Sequence, residues 1–118
     1  MVNDWFTVTE EASAFVLALA IPPHVDSADV DKLHEAVLEA ISANAAGAWV
    51  IDLAAMSFMG SSVLGLMVNL RQRIRTAGGR LALCGMNPKL HQVFRTCSLE
   101  RLFSIRQGRA EALDEVTS

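Results

Sequence analysis

Apolar residues gather in short segments separated by polar turns along the chain. The first, Trp5–Thr9, alternates between apolar and polar positions as a half-buried strand does. The second, Ala14–Leu19, is apolar almost throughout, as in a strand covered on both faces, and it ends before Pro22 and Pro23, which lack the N–H that a sheet requires. Three further segments are predicted as strands: Trp49–Leu53, Leu81–Cys84 and Phe103–Ile105.

Apolar positions three and four residues apart predict helices between these strands. Asp26 or Ser27 and, later, Asn87 are suitable N-caps, and Gly78 is suited to ending a helix. The predicted helices run from about Ser27 to Ala43, from Ser61 to Ala77, from Pro88 to Cys97 and from Arg109 to Val116.

The order strand, strand, helix, strand, helix, strand, helix, strand, helix predicts an α/β fold. We expect a mixed sheet of four or five strands with helices packed mainly on one face, and a right-handed crossover from Trp49 to Cys84. The chain has 118 residues and shows neither a linker nor a repeat, so we predict one domain over residues 1–118.

Composition excludes several classes of protein. Hydrophobic residues make up 52% of the chain and charged residues 19%, which favours an ordered domain. The net charge is −3 and the charges are dispersed, which argues against nucleic-acid binding; the basic cluster of Arg71, Arg73, Arg75 and Arg80 is typical of a solvated helix face.

Location is also indicated by the sequence. The longest apolar run, Ala14–Ile21, is shorter than the roughly 20 residues that a membrane helix needs. The first residues also lack the basic segment that begins a signal peptide, so no signal peptide is expected. Cys84 and Cys97 both fall in apolar segments, so we expect buried, reduced thiols. These features predict a cytoplasmic protein with no direct membrane insertion.

Catalytic groups are sparse. His24, His34 and His91 are scattered without metal-ligand spacing, and no phosphate-binding glycine motif or nucleophile elbow occurs. Asp52 lies at the carboxyl end of a predicted buried strand, where α/β proteins often bind ligands, but no base or nucleophile accompanies it. We therefore predict a binding protein, not an enzyme, with no metal and no cofactor.

The segment after that strand offers a candidate switch. Ser61 and Ser62 lie where a helix begins, and free N–H groups and the helix dipole there would tolerate a phosphate on a hydroxyl. Such a phosphate would block an apolar docking surface formed by Met59, Val63 and Met67. The alternative is that a serine simply caps the helix, a common arrangement worth about 1 kcal/mol.

The same segment resembles the STAS domain family, in particular the bacterial anti-sigma factor antagonists. The resemblance covers nearly the whole chain and is strongest from Trp49 to Phe103. It is carried by Phe58–Gly65, which is similar to the family's F-M-D-S-S-G-L-G, together with Ala77–Leu81, Asn87–Phe94 and Ser98–Phe103.

The resemblance implies an antagonist that works in a partner-switching pathway. Such a protein binds an anti-sigma factor that is also a serine kinase. The kinase phosphorylates the first serine of the pair, here Ser61 in preference to Ser62, which releases the antagonist, and a phosphatase restores it. The residues expected to contact the partner are Met59, Gly60, Ser61, Ser62, Val63, Met67, Pro23, His24, Met86 and Asn87.

Two positions depart from the family pattern. Gly60 replaces an aspartate, and Val63 replaces a glycine. The missing acid favours an alternative function, a stand-alone STAS accessory subunit of a lipid-transport ABC complex. A nucleotide- or lipid-binding module that uses the helix start at Ser61 as its anion site is also left open.

Overall fold

The computed structural model of the protein describes residues 2–118, and its chain forms a five-stranded sheet with four α-helices. The strands are β1 (Phe6–Glu11), β2 (Ala14–Leu19), β3 (Ala48–Asp52), β4 (Arg80–Cys84) and β5 (Ser104–Ile105). The helices are α1 (Ser27–Ser42), α2 (Ser61–Thr76), α3 (Pro88–Thr96) and α4 (Arg109–Thr117). Two short 3₁₀ turns cover Val2–Trp5 and Leu99–Arg101.

The strands lie in the order β1-β2-β3-β4-β5. The hairpin between β1 and β2 is antiparallel, with Phe6 opposite Leu19, and the other pairs are parallel. The predicted α/β fold with a mixed sheet is therefore confirmed, and the strand and helix boundaries agree within two residues. One detail was wrong, because Trp5 lies in the first 3₁₀ turn and β1 begins at Phe6.

The two faces of the sheet are covered unequally. Alternate residues of each strand point to opposite faces, so Trp49 and Ile51 join the main core with α1, α2 and α3, whereas Val50 packs against α4 in a smaller core. Three of the four helices thus cover one face, as predicted.

The expectation for the cysteines was half right. Cys84 is buried in the smaller core, and burial raises the pKa of its thiol to about 11. Cys97 is exposed, because α3 ends at Thr96 and Cys97 is its C-cap, outside the apolar stripe of the helix. Within residues 2–118, no helix has both the length and the apolar character to span a bilayer.

Candidate functional site

The start of α2 places two serines at the carboxyl edge of the sheet. The N-cap is Gly60, with an extended backbone and no side-chain cap, and its carbonyl accepts the first helical hydrogen bond from the Leu64 N–H at 3.0 Å. Ser61 and Ser62 are therefore the first two helical residues, and both are exposed. The alternative that a serine caps this helix is wrong, because the capping position belongs to the preceding glycine.

The serines border a depression of about 480 Å³ between α2 and the loop that follows β2. The structure places Pro23 and His24 of that loop around the same depression as Gly60, Ser61 and Ser62. Its floor includes the buried Ile21 and Met56. The opening is thus formed by two segments that lie almost forty residues apart in the chain.

The expected apolar docking surface of Met59, Val63 and Met67 does not exist. All three side chains are buried in the main core. Val63 and Met67 are buried because α2 turns its apolar stripe onto the sheet, which leaves the serines on the outer side. Met59 precedes the helix and is buried by the packing of its loop against the same core. Val63 still contributes to the wall of the depression, while Met67 is a fully buried core residue.

Phe58 is the functional candidate that the sequence reasoning missed. Its side chain is 52% exposed, the most exposed large apolar side chain in the described residues, and it lines the depression beside Ser61. The available signal was its position in the loop before α2, where neither strand nor helix periodicity requires a large apolar residue. An exposed aromatic ring at a concave surface is typical of a protein-contact site.

The loop after β4 lies nearby but does not line the depression. Asn87 caps α3 by accepting from the Leu90 N–H at 2.8 Å, and its amide donates to the Met56 carbonyl at 3.3 Å. Met86 is half-buried against the main core. The side chain of Asn87 therefore links the loop after β4 to the loop before α2. Asn87 is only partly exposed, so a partner could reach it only in part.

The Asp52 carboxylate forms an ion pair with Arg109. Its Oδ2 accepts from Arg109 Nε at 3.0 Å and Nη2 at 2.7 Å, and Arg109 also donates to Glu11 at 3.0 Å. The hydrogen bonds to Asp52 raise the pKa of the Arg109 guanidinium. The other oxygen of Asp52 accepts from the Ala54 N–H at 2.9 Å, so this carboxylate anchors the loop that leads to α2.

The remaining polar candidates are dispersed. His34 hydrogen-bonds Asn69 at 2.8 Å between α1 and α2, and His91 is exposed on α3. Across residues 2–118, His, Cys, Asp and Glu side chains form no group of three that could hold a metal ion.

Comparison with known proteins identifies the family. The sequence model of the STAS domain matches residues 7–112. The chain belongs to the STAS domain family. It is 28% identical over 101 residues, 86% of each chain, to the anti-sigma F factor antagonist of Paenibacillus polymyxa.

Solved structures of STAS proteins share its fold. An anti-sigma-factor antagonist domain protein from Planctomyces limnophilus has a TM-score of 0.83 at 26% identity, over 96% of this chain and 98% of that one. The Bacillus cell fate determinant SpoIIAA in its phosphorylated form has a TM-score of 0.66 at 23% identity, over 94% and 98%. The resemblance read from the motif is confirmed, and the relatives of this STAS domain are anti-sigma factor antagonists.

No steric constraint requires a glycine at position 60, where this chain departs from the STAS motif. A Cβ built on Gly60 would meet only the Phe58 ring, at 3.9 Å, and the backbone there is one that any residue adopts. An aspartate would therefore fit this STAS domain, and its absence has no steric cause.

Proposed function

We propose that this STAS domain is a cytoplasmic anti-sigma factor antagonist that acts by binding, not by catalysis. Its partner is an anti-sigma factor of the serine-kinase type, and phosphorylation of Ser61 releases that partner until a phosphatase removes the phosphate. The observation that carries the proposal is an exposed serine, free of any capping role, on the rim of a depression that also carries an exposed phenylalanine.

The position of Ser61 suits a kinase substrate. Its side chain is exposed, and the N–H groups of the first helical turn have no acceptor within the helix. A phosphate on the first helical residue is stabilised by these groups and by the helix dipole, so the modification leaves the fold intact. The phosphate carries close to two negative charges at neutral pH, and these would disfavour the binding of an apolar partner surface on the rim.

Phe58 supplies the apolar part of the contact. A half-exposed aromatic side chain can be buried by a partner without the folded chain having to rearrange, and residues of this type dominate the binding energy of many interfaces. Pro22 and Pro23 across the depression hold the opposite rim in a restricted backbone conformation. The two rims together would accept an apolar projection of the partner.

The test uses the purified chain and a kinase-type anti-sigma factor from the same organism. With ATP, mass spectrometry should place the phosphate on Ser61 and find none in Ser61→Ala. Calorimetry should show that Ser61→Asp weakens binding by about tenfold or more, while Ser62→Asp, a matched control one residue later, has a smaller effect. An acidic residue in the first turn of a helix is stabilising, so the loss would not come from unfolding.

Phe58→Ala should weaken the unphosphorylated complex by about tenfold or more, the size typical of an interface hot spot. Binding unaffected by both Phe58→Ala and Ser61→Asp would refute the proposed surface.

Gly60 favours a second candidate function. Without the family's aspartate beside the serine, a kinase has one charge less to recognise, and the chain could instead be the STAS accessory subunit of a lipid-transport ABC complex. Tight binding to a transporter ATPase, unchanged in Ser61→Asp, would replace the antagonist proposal with this one.

A further inference from the structure

Among the described residues around the depression beside Ser61, His24 is the one that can supply a positive charge. This lining comes from the loop after β2, from the start of α1 and from the segment that leads into α2. Its titratable side chains are His24 and Asp26, without a described lysine or arginine. Asp26 is already committed, because its Oδ1 accepts from the Asp29 N–H at 2.8 Å and so caps α1.

We propose that His24 pairs with the phosphate on Ser61 and that this pair draws the loop after β2 and the start of α2 together across the depression. This inference rests on the proposed phosphorylation of Ser61 and adds how the added charge acts. In the unmodified chain the depression is open to a partner; in the phosphorylated chain an ion pair between its two rims occupies it. The phosphate then excludes the partner by filling the groove as well as by its charge.

The chemistry of the two groups suits this pairing. A histidine side chain changes charge near neutral pH, and the second ionisation of phosphoserine lies near pH 6, so each group favours the charged form of the other around pH 6 to 7. His24 is exposed and has no hydrogen-bond partner among the described residues, so it is free to turn towards α2. The fixed charge next to it is Asp26 at the start of α1, while α2 presents the hydroxyls of Ser61 and Ser62 and its uncapped N–H groups.

The experiment installs phosphoserine at position 61 during translation by genetic code expansion, so it needs no kinase. Proton NMR follows the imidazole signals of the three histidines through a pH titration, and phosphorus NMR follows the phosphate. We expect the phosphate to titrate about 0.5 to 1 pH unit lower in wild type than in His24→Gln, as for an exposed pair with a doubly charged partner. Since the coupling is reciprocal, His24 should keep its proton to higher pH in the phosphoserine protein than in the unmodified one.

The controls are a variant and a second histidine. His24→Gln should restore the phosphate titration to that of a free phosphoserine, while His91, exposed on α3 and outside the depression, should titrate alike in both proteins. A phosphate titration that is the same in wild type and His24→Gln would overturn the inference. That result would not affect the kinase assay that tests phosphorylation of Ser61. Conversely, a kinase that does not phosphorylate Ser61 would not affect the NMR result, so the two proposals can fail independently.

Discussion

Replacing Arg109 with methionine should destabilise the fold because it leaves the Asp52 carboxylate without its partner. Asp52 is only 9% exposed, and two guanidinium nitrogens donate to its Oδ2, at 2.7 and 3.0 Å. Methionine keeps much of the aliphatic stem of arginine and removes the charge, so the change tests the ion pair more than the packing.

The size of the effect follows from the exposure of each partner. A hydrogen bond to a charged group contributes roughly 1.5–3 kcal/mol when it is buried. Arg109 is 40% exposed, so water screens it, and its two bonds converge on one oxygen; we expect a loss of about 2 kcal/mol. The bond from the same arginine to Glu11 joins two side chains that are 40% and 43% exposed, and it should contribute only about 0.2–1 kcal/mol.

Urea unfolding at pH 7, followed by tryptophan fluorescence, to which the buried Trp49 contributes, measures both values. Arg109→Met should lower the unfolding midpoint by about 1 M, whereas Glu11→Gln, the matched control on the same arginine, should lower it by about a quarter of that. A double-mutant cycle should give the larger coupling for Arg109 with Asp52. Equal losses in Arg109→Met and Glu11→Gln would refute the argument from burial.

Three further results are expected. A thiol reagent at pH 8 should label Cys97 and leave Cys84 unmodified until the chain is unfolded, because Cys84 is buried and its pKa is about 11; labelling of both in the native protein would contradict this. Gly85→Ala should lower the free energy of unfolding in urea by about 2–4 kcal/mol, since φ is +78° and a Cβ would lie 2.8 Å from the Ala54 nitrogen. Gly78→Ala is the matched control: its φ is +88° but the space around it is open, so the loss should be only about 1–2 kcal/mol. The hydrogen bond from Ser104 lowers the pKa of Glu115, so its contribution to stability is complete above pH 4.5 and is lost as the pH falls through the lowered pKa; Glu115→Gln should reduce the acid dependence of the unfolding free energy in that range.

Local patterns were enough to place most elements because their causes are local. Helix α3 begins at Pro88 because Asn87 caps it, and β2 ends at Leu19, shortly before two prolines. The family motif around Ser61 is likewise a short stretch of sequence, and it led to the correct family. Periodicity reports which residues share a face, so the helical assignment of α2 was secure.

What periodicity does not report is how exposed a residue finally is. Met59 and Phe58 are neighbours in one loop, yet the packing of that loop buries the first and exposes the second. Cys97 was placed in an apolar stripe, but the helix ended one residue before it. Each of these misreadings concerns a position at the end of an element or in a loop, where the local repeat stops.

The sequence by itself therefore determined the α/β class and the order and approximate bounds of the strands and helices, since capping, turn and periodicity signals act within a few residues of each other. The STAS family came from the resemblance of its motifs. Only the tertiary structure decided the pairing of Asp52 with Arg109, the burial of Met67 and the exposure of Phe58. These features depend on residues far apart in the chain, and so on how the crossovers place each helix and loop on the sheet.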